Sequence, residues 1–334
     1  MILHPGILAL LLGSLLVCLL LGKAAYVGWQ VMRHWRPSAL DEKQLELERR
    51  TELVSTLAHH ALAIAMFSLP LFVFTADDIY ELFIGAMCAT GTLNAAPYGW
   101  AALLIKVWLF FLGGMWMMIN YYDRRVESAP LLHAKFFALI GLFPLGLIDL
   151  LLSYTFFTGL RPKVITSCCG SLFSSSADNL GAELAGMPVT SSMTLFFVVL
   201  VVYALVLIAN LRFSHELLRY LVGVLAGVFF LVGIVAILSF VSLYIYQLPT
   251  HHCPFDMLQG RCNFIGYPLY LGLFGTTLCG LAPGLLQLTS RLPGMSEVVL
   301  PAMQRWVVNA LVFLALFCGV AFWPMMFGPL KLLE

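Results

Sequence analysis

Long apolar runs separated by short polar stretches set the pattern of this chain. Eight runs lie at roughly 6–29, 55–75, 99–121, 132–158, 190–211, 216–247, 267–289 and 303–327. Each is close to or above the ~20 residues with which an α-helix crosses about 30 Å of hydrocarbon. The pattern predicts an all-α fold, a polytopic membrane helical bundle of about eight transmembrane helices forming a single membrane domain over residues 1–334. The sixth run is long enough to tilt or to project beyond the bilayer. Between the first two runs, the stretch from Ser38 to Val54 has helix formers with acid ahead of base at short spacing. It predicts a solvated helical extension over about 38–54.

Composition supports this reading and excludes others. Of the 334 residues 61% are hydrophobic and 10% charged, which is not the composition of an ordinary soluble domain. The lipid bilayer is therefore the first partner. A formal net charge of +1 and the lack of a Lys/Arg block give no surface for nucleic acid. The run from Ile7 to Leu21 has no basic segment ahead of it, so it reads as a first span and not as a removable signal. The sequence has no nucleotide-binding glycine fingerprint, no Gly-x-Ser-x-Gly elbow and no His-Glu-x-x-His zinc helix.

Basic residues fix the expected orientation. One set of connections and flanks carries Arg33, Arg36, Lys43, Arg49, Arg50, Arg124, Arg125, Lys135, Arg212, Arg219, Arg291 and Arg305. The other carries Arg161, Lys163, Arg261 and Lys331. The positive-inside rule then turns both termini outward and makes the loops at about 76–98, 159–189 and 248–266 external. Read as bacterial, the protein belongs in the inner membrane with these loops in the periplasm.

Five of the eight cysteines, Cys88, Cys168, Cys169, Cys253 and Cys262, fall in those three loops. Thiols on an oxidising face either form structural bridges or exchange disulfides. In the first loop Ile79, Leu82, Phe83 and Met87 have helical spacing. They predict an amphipathic interfacial helix that ends at Cys88 beside Gly91. In the second loop the adjacent Cys168 and Cys169 permit a vicinal bridge, two separate bridges or a soft-metal site. In the third, His252 stands beside Cys253, where an imidazolium would lower the thiol's pKa. The local partner for Cys253 is Cys262; a zinc site from His251, His252, Cys253 and Cys262 has no common ligand spacing.

The stretch from His251 to Asp256 resembles the cysteine loops of membrane thiol oxidases of the DsbB and vitamin K epoxide reductase kind, with Asp256 where those loops carry a second cysteine. The resemblance implies electron transfer from outer cysteines to a quinone. More broadly, the segments Met87 to Asn94, Ser167 to Gly170 and His252 to Phe255 are similar to those of a group of bacterial multi-pass membrane proteins, a likeness that carries no activity with it.

Charged residues inside spans are candidates in their own right. Lys106 in the third span and Asp149 in the fourth lie at similar depth, so an ion pair is expected, either structural or as a polar site for a proton or a quinone. His59, His60 and His133 are candidates for bis-histidine haem b ligation. Gly223 with Gly227, and Gly280 with Gly284, form small-xxx-small patterns for close helix packing. Pro70, Pro144 and Pro283 interrupt their spans.

The leading expectation is a redox protein exchanging thiols and disulfides on the outer side, with Cys253 attacking, His252 activating it, Cys262 as its local partner and Cys168–Cys169 as a shuttle. A periplasmic redox protein would be its partner. The alternatives are a non-catalytic subunit of a larger electron-transfer complex with structural disulfides, and a transporter of a soft metal ion or small solute.

Overall fold

The computed structural model describes residues 2–35, 42–166, 188–213, 215–330 and 332. Among them, regular structure is helical apart from one isolated β-bridge. Eight helical segments are long and apolar enough to cross a membrane, which makes this a multi-pass membrane protein. They are α1 (Pro5–His34), α2 (Glu42–Asp78), α4 (Gly99–Asp123), α5 (Leu132–Gly159), α6 (Val189–Phe213), α7 (Glu216–Ala236) with its continuation, α9 (Gly266–Thr289) and α10 (Met295–Phe327). Shorter helices are α3 (Ala89–Asn94) and α8 (Ser242–Tyr246).

The described part of the extension expected at 38–54 is not a separate element. From Glu42 it is the first part of α2, which continues without a break through Pro70 to Asp78. Gln44, Leu47, Thr51 and Val54 are buried along one face, while Glu46 and Arg50 pair at 2.8 Å on an exposed one.

The chain divides into two compact units. The first comprises Met1–Ala76, Leu93–Pro162 and Arg291–Val298; the second comprises Asp77–Thr92, Lys163–Ser290 and Val299–Glu334.

In the first unit α1 packs against α5. A Cβ built on Gly28 would meet the Phe136 carbonyl, one on Gly22 the Phe143 ring and one on Gly146 the Leu21 side chain. As one index rises the other falls, so the helices are antiparallel. Their cores merge with α2 and α4 in a cluster that includes Val17, Leu21, Leu62, Trp116 and Leu142.

In the second unit α6, α7, α9 and α10 share a core built around Phe196, Tyr203, Phe229, Leu273 and Phe317. The small-residue stripes serve the close approach expected of them at three of four positions. Cβ atoms on Gly223 and Gly284 would each lie 3.3 Å from the other's Cα, and one on Gly280 would collide with the Tyr203 hydroxyl and Ala226; Gly227 faces open space. The sixth span accommodates its length with a π-helical turn, Ile237–Val241, between α7 and α8. There the Ser242 N–H reaches back to the Ile237 carbonyl.

Candidate functional site

The first cysteine connection does not form the amphipathic helix that its apolar spacing predicts. After α2 there is only a 3-10 turn, Tyr80–Leu82, and then the chain extends. Ile84 pairs with Ile165 in a parallel bridge: the Ile84 N–H donates to the Val164 carbonyl at 3.0 Å and the Thr166 N–H to the Ile84 carbonyl at 2.9 Å. Gly85 follows at φ +87°, and a Cβ there would lie 2.7 Å from the Thr166 carbonyl oxygen. Pairing with a segment distant in sequence consumes the backbone groups a helix would need. Ile79 and Phe83 are buried while Leu82 and Met87 are exposed, so the four form no common face.

Cys88 then enters α3, with its carbonyl accepting from the Gly91 N–H at 3.0 Å. Its Sγ lies 3.2 Å from Cys253 Sγ, and either thiol can donate. Cys88 is 1% exposed and Cys253 0%. The Asp256 N–H donates to Cys253 Sγ at 3.4 Å, and the Thr90 hydroxyl lies 3.7 Å from the same sulfur.

Two tyrosines hold the backbone of the cysteine turn. The Tyr246 hydroxyl, from the end of α8, donates to the Cys253 carbonyl, and the Tyr270 hydroxyl, from the second turn of α9, donates to the Pro254 carbonyl, both at 2.7 Å. Asp77 links the two connections: its Oδ1 accepts from the Ala89 N–H at 3.1 Å and from Gln259 Nε2 at 2.8 Å. Gln259 and Arg261 also donate to the Met87 carbonyl, at 3.0 and 2.9 Å. Thus the peptide on either side of Cys88 is tied to the loop that carries Cys253.

Cys262 is not bridged to Cys253; the sulfur that Cys253 meets is that of Cys88. The intervening segment folds into two 3-10 turns, Asp256–Leu258 and Gly260–Cys262, followed by left-handed Asn263 and Phe264. Cys262 is partly exposed and lines an open cleft of about 520 Å³ with Tyr246, His251, Asp256 and Arg261. Burial, and after it the Asp256 carboxylate, push the Cys262 thiol above its ordinary range, with Arg261 opposing them. His251 Nε2 lies 3.1 Å from Asp256 Oδ2, and Arg261 pairs with the other carboxylate oxygen. His252 directs Nδ1 at the Leu238 carbonyl of the π-helical turn, at 2.8 Å, so this nitrogen serves the helix and not the Cys253 sulfur. Cys168 and Cys169 lie outside the described residues.

A scan against protein-family models, a search of curated proteins and a search of solved structures each give no match to this chain.

Within the first unit the expected ion pair is formed: Lys106 Nζ lies 2.8 Å from Asp149 Oδ1, and both residues are buried. A second buried pair joins α4 to α5. Lys135 Nζ lies 2.7 Å from Asp123 Oδ2 and donates to Asn120 at 3.3 Å, while Asp123 Oδ1 accepts from the Leu131 N–H. Lys135 reads in sequence as a flanking positive charge, and only the acid at Asp123, twelve positions earlier, hints at its partner. Of the candidate haem ligands, His59 is half-buried, with its ring centre 6.0 Å from that of His60. His60 and His133 are exposed, His60 Nδ1 is bonded to the Thr56 carbonyl of its own helix, and His133 packs against Trp35.

Proposed function

We propose that this chain is an integral protein of a bacterial inner membrane that exchanges thiols and disulfides on the outer, periplasmic side, with Cys88 and Cys253 as the electron-carrying pair. The observation behind the proposal is the 3.2 Å contact between two sulfurs from separate connections. Closing it to a bond of about 2.05 Å requires a small movement. The surplus of basic residues in the opposite connections supports the outward orientation, and an oxidising compartment is where such a pair persists.

The exchange balances as a two-electron step. A partner thiolate attacks one sulfur of the Cys88–Cys253 disulfide, forming a mixed disulfide and releasing the other sulfur as thiolate. The partner's second thiolate then attacks the mixed disulfide. The partner leaves as a disulfide, and Cys88 and Cys253 keep two electrons and take up two protons. Reoxidation calls for a two-electron acceptor, for which a membrane quinone has the right chemistry. The Asp256 N–H, donated to Cys253 Sγ, is oriented to stabilise charge developing on that sulfur.

The burial of both sulfurs favours a second reading, a structural staple in a non-catalytic subunit. Trapping separates the two. In native membranes a Cys88→Ser variant should accumulate a reductant-sensitive adduct if the pair exchanges, because its Cys253 thiolate can attack an oxidised partner, releasing one partner sulfur as thiolate, while no Cys88 is present to resolve the mixed disulfide. A staple leaves Cys253 without an adduct in the same variant.

A further inference from the structure

The first unit holds a charge pair that the thiol chemistry does not use. Lys106 of α4 and Asp149 of α5 meet at 2.8 Å, deep between helices. Removing two charges from water is costly, and attraction between them repays it only where further hydrogen bonds satisfy both groups. Here each group has such partners, and they come from different helices. Ser14 of α1 donates to Asp149 Oδ2 at 2.7 Å. One helical turn beyond Asp149, on the same face of α5, the fully buried Ser153 hydroxyl has no hydrogen-bond partner. On the other side, Lys106 Nζ donates to the Ser68 hydroxyl of α2 at 3.4 Å and lies 5.5 Å from the centre of the Phe72 ring.

We propose that Lys106 and Asp149 form a proton-exchange site, in which Asp149 takes up a proton and releases Lys106 to its partners on α2. In the ionised state the ammonium and the carboxylate neutralise each other. After protonation the Asp149 carboxyl is neutral and keeps the Ser14 hydroxyl as its partner, with the Ser153 hydroxyl one turn further along the same face of α5. Lys106 keeps its charge against Ser68 and the face of Phe72. The titratable groups facing the carboxylate are Lys106 and, from α1, the Cys18 thiol within electrostatic range; α2 contributes the neutral Ser68 and Phe72.

The surroundings also give the site a sidedness. Lys106 is seven positions from the start of α4, about 10 Å, and seventeen from its end, about 25 Å. Towards the nearer end the cover is a layer of three phenylalanines, Phe72, Phe156 and Phe157, with ring centres 5.0 to 5.8 Å apart. Beyond that layer on α2 is the buried Thr75 hydroxyl, packed beside Gly6. Towards the farther end lies the apolar cluster of Val17, Leu21, Leu62, Ala65, Trp116 and Leu142. Protons therefore exchange past Phe72, from the end of the unit that carries Gly99 and Gly159.

Infrared difference spectroscopy of the full-length protein in lipid nanodiscs tests this. Spectra are taken as pH is stepped down from about 9 to about 3, a range that brackets ordinary carboxylate titration. The expected result is a protonated-carboxyl band that grows on acidification, shifts with isotope-labelled aspartate and disappears in Asp149→Asn. Because that variant strands Lys106, the neutral pair Lys106→Met/Asp149→Asn provides a second control that should also lack the band. Phe72→Ala should speed the band's appearance after a pH jump several-fold. A wild-type spectrum without this band, or a band that persists in both control variants, overturns the proposal.

Discussion

Cys88 Sγ and Cys253 Sγ touch at 3.2 Å although 165 positions separate them in the chain. The contact joins the connection after α2 to the connection before α9, and the polar links from Asp77, Gln259 and Arg261 hold the same two segments together. When oxidised, the pair closes a long covalent loop, and such bridges contribute about 2–4 kcal/mol. Thermal unfolding should therefore show a lower Tm for wild type in reductant than in oxidant. Cys253→Ala should unfold at or below the reduced wild type and should not respond to reductant. Equal Tm values for wild type in the two conditions would show that no bridge forms.

The Asp256 carboxylate acts on a different sulfur. Burial is the first reason why the Cys262 thiol ionises only above its ordinary range, and the negative charge of Asp256 is the next. At neutral pH less thiolate is present than for an ordinary exposed cysteine, so alkylation is slow. Asp256→Asn removes a cause that raises the pKa and leaves Arg261, which lowers it. The pH profile of Cys262 alkylation should move to lower pH, and its rate near neutrality should rise several-fold. A rate unchanged by the substitution would count against this electrostatic origin.

Lys106 and Asp149 should show strong coupling. Replacing either alone leaves its partner as an uncompensated buried charge, which typically costs about 3–5 kcal/mol. The double variant Lys106→Met/Asp149→Asn should be less destabilised than the sum of the single ones. A denaturant-based double-mutant cycle measures this, and simple additivity would contradict the pairing.

The glycine stripes make a prediction that differs between neighbouring positions. Gly223→Leu pushes a branched side chain into the Gly284 backbone, where even a Cβ has only 3.3 Å, and should lower stability by about 1–3 kcal/mol or more. Gly227→Ala meets nothing within 4 Å and should be neutral or stabilising by up to about 1 kcal/mol. Parallel unfolding curves of the two variants check the contrast.

Span-level features were legible in the sequence because hydropathy and periodicity are local signals. The eight apolar runs correspond to eight long helices, and two charges at matching depth in consecutive spans become the Lys106–Asp149 pair. The loops were less legible. Ile79, Leu82, Phe83 and Met87 have the spacing of a helix face, but a β-bridge to Ile165 and the left-handed Gly85 decide the backbone there. Cys262 is the nearer sulfur to Cys253 along the chain, whereas Cys88 is the one in contact, because two 3-10 turns fold the intervening segment and the Asp77–Gln259 link sets the register of the two connections. Around Lys135 the acid at Asp123 is the one hint of a buried partner, and a charge that merely flanks a span could have the same neighbour.

The most direct test of the exchanging pair is a redox titration of the native membrane protein, with thiols trapped at each potential and the peptides containing Cys88 and Cys253 mapped without reduction. Structural bridges resist reduction down to potentials below about −300 mV. A Cys88–Cys253 bridge that opens and closes reversibly, with one two-electron midpoint above that value, is the predicted result. A bridge that stays closed below it, or two thiols that never join, would contradict the account.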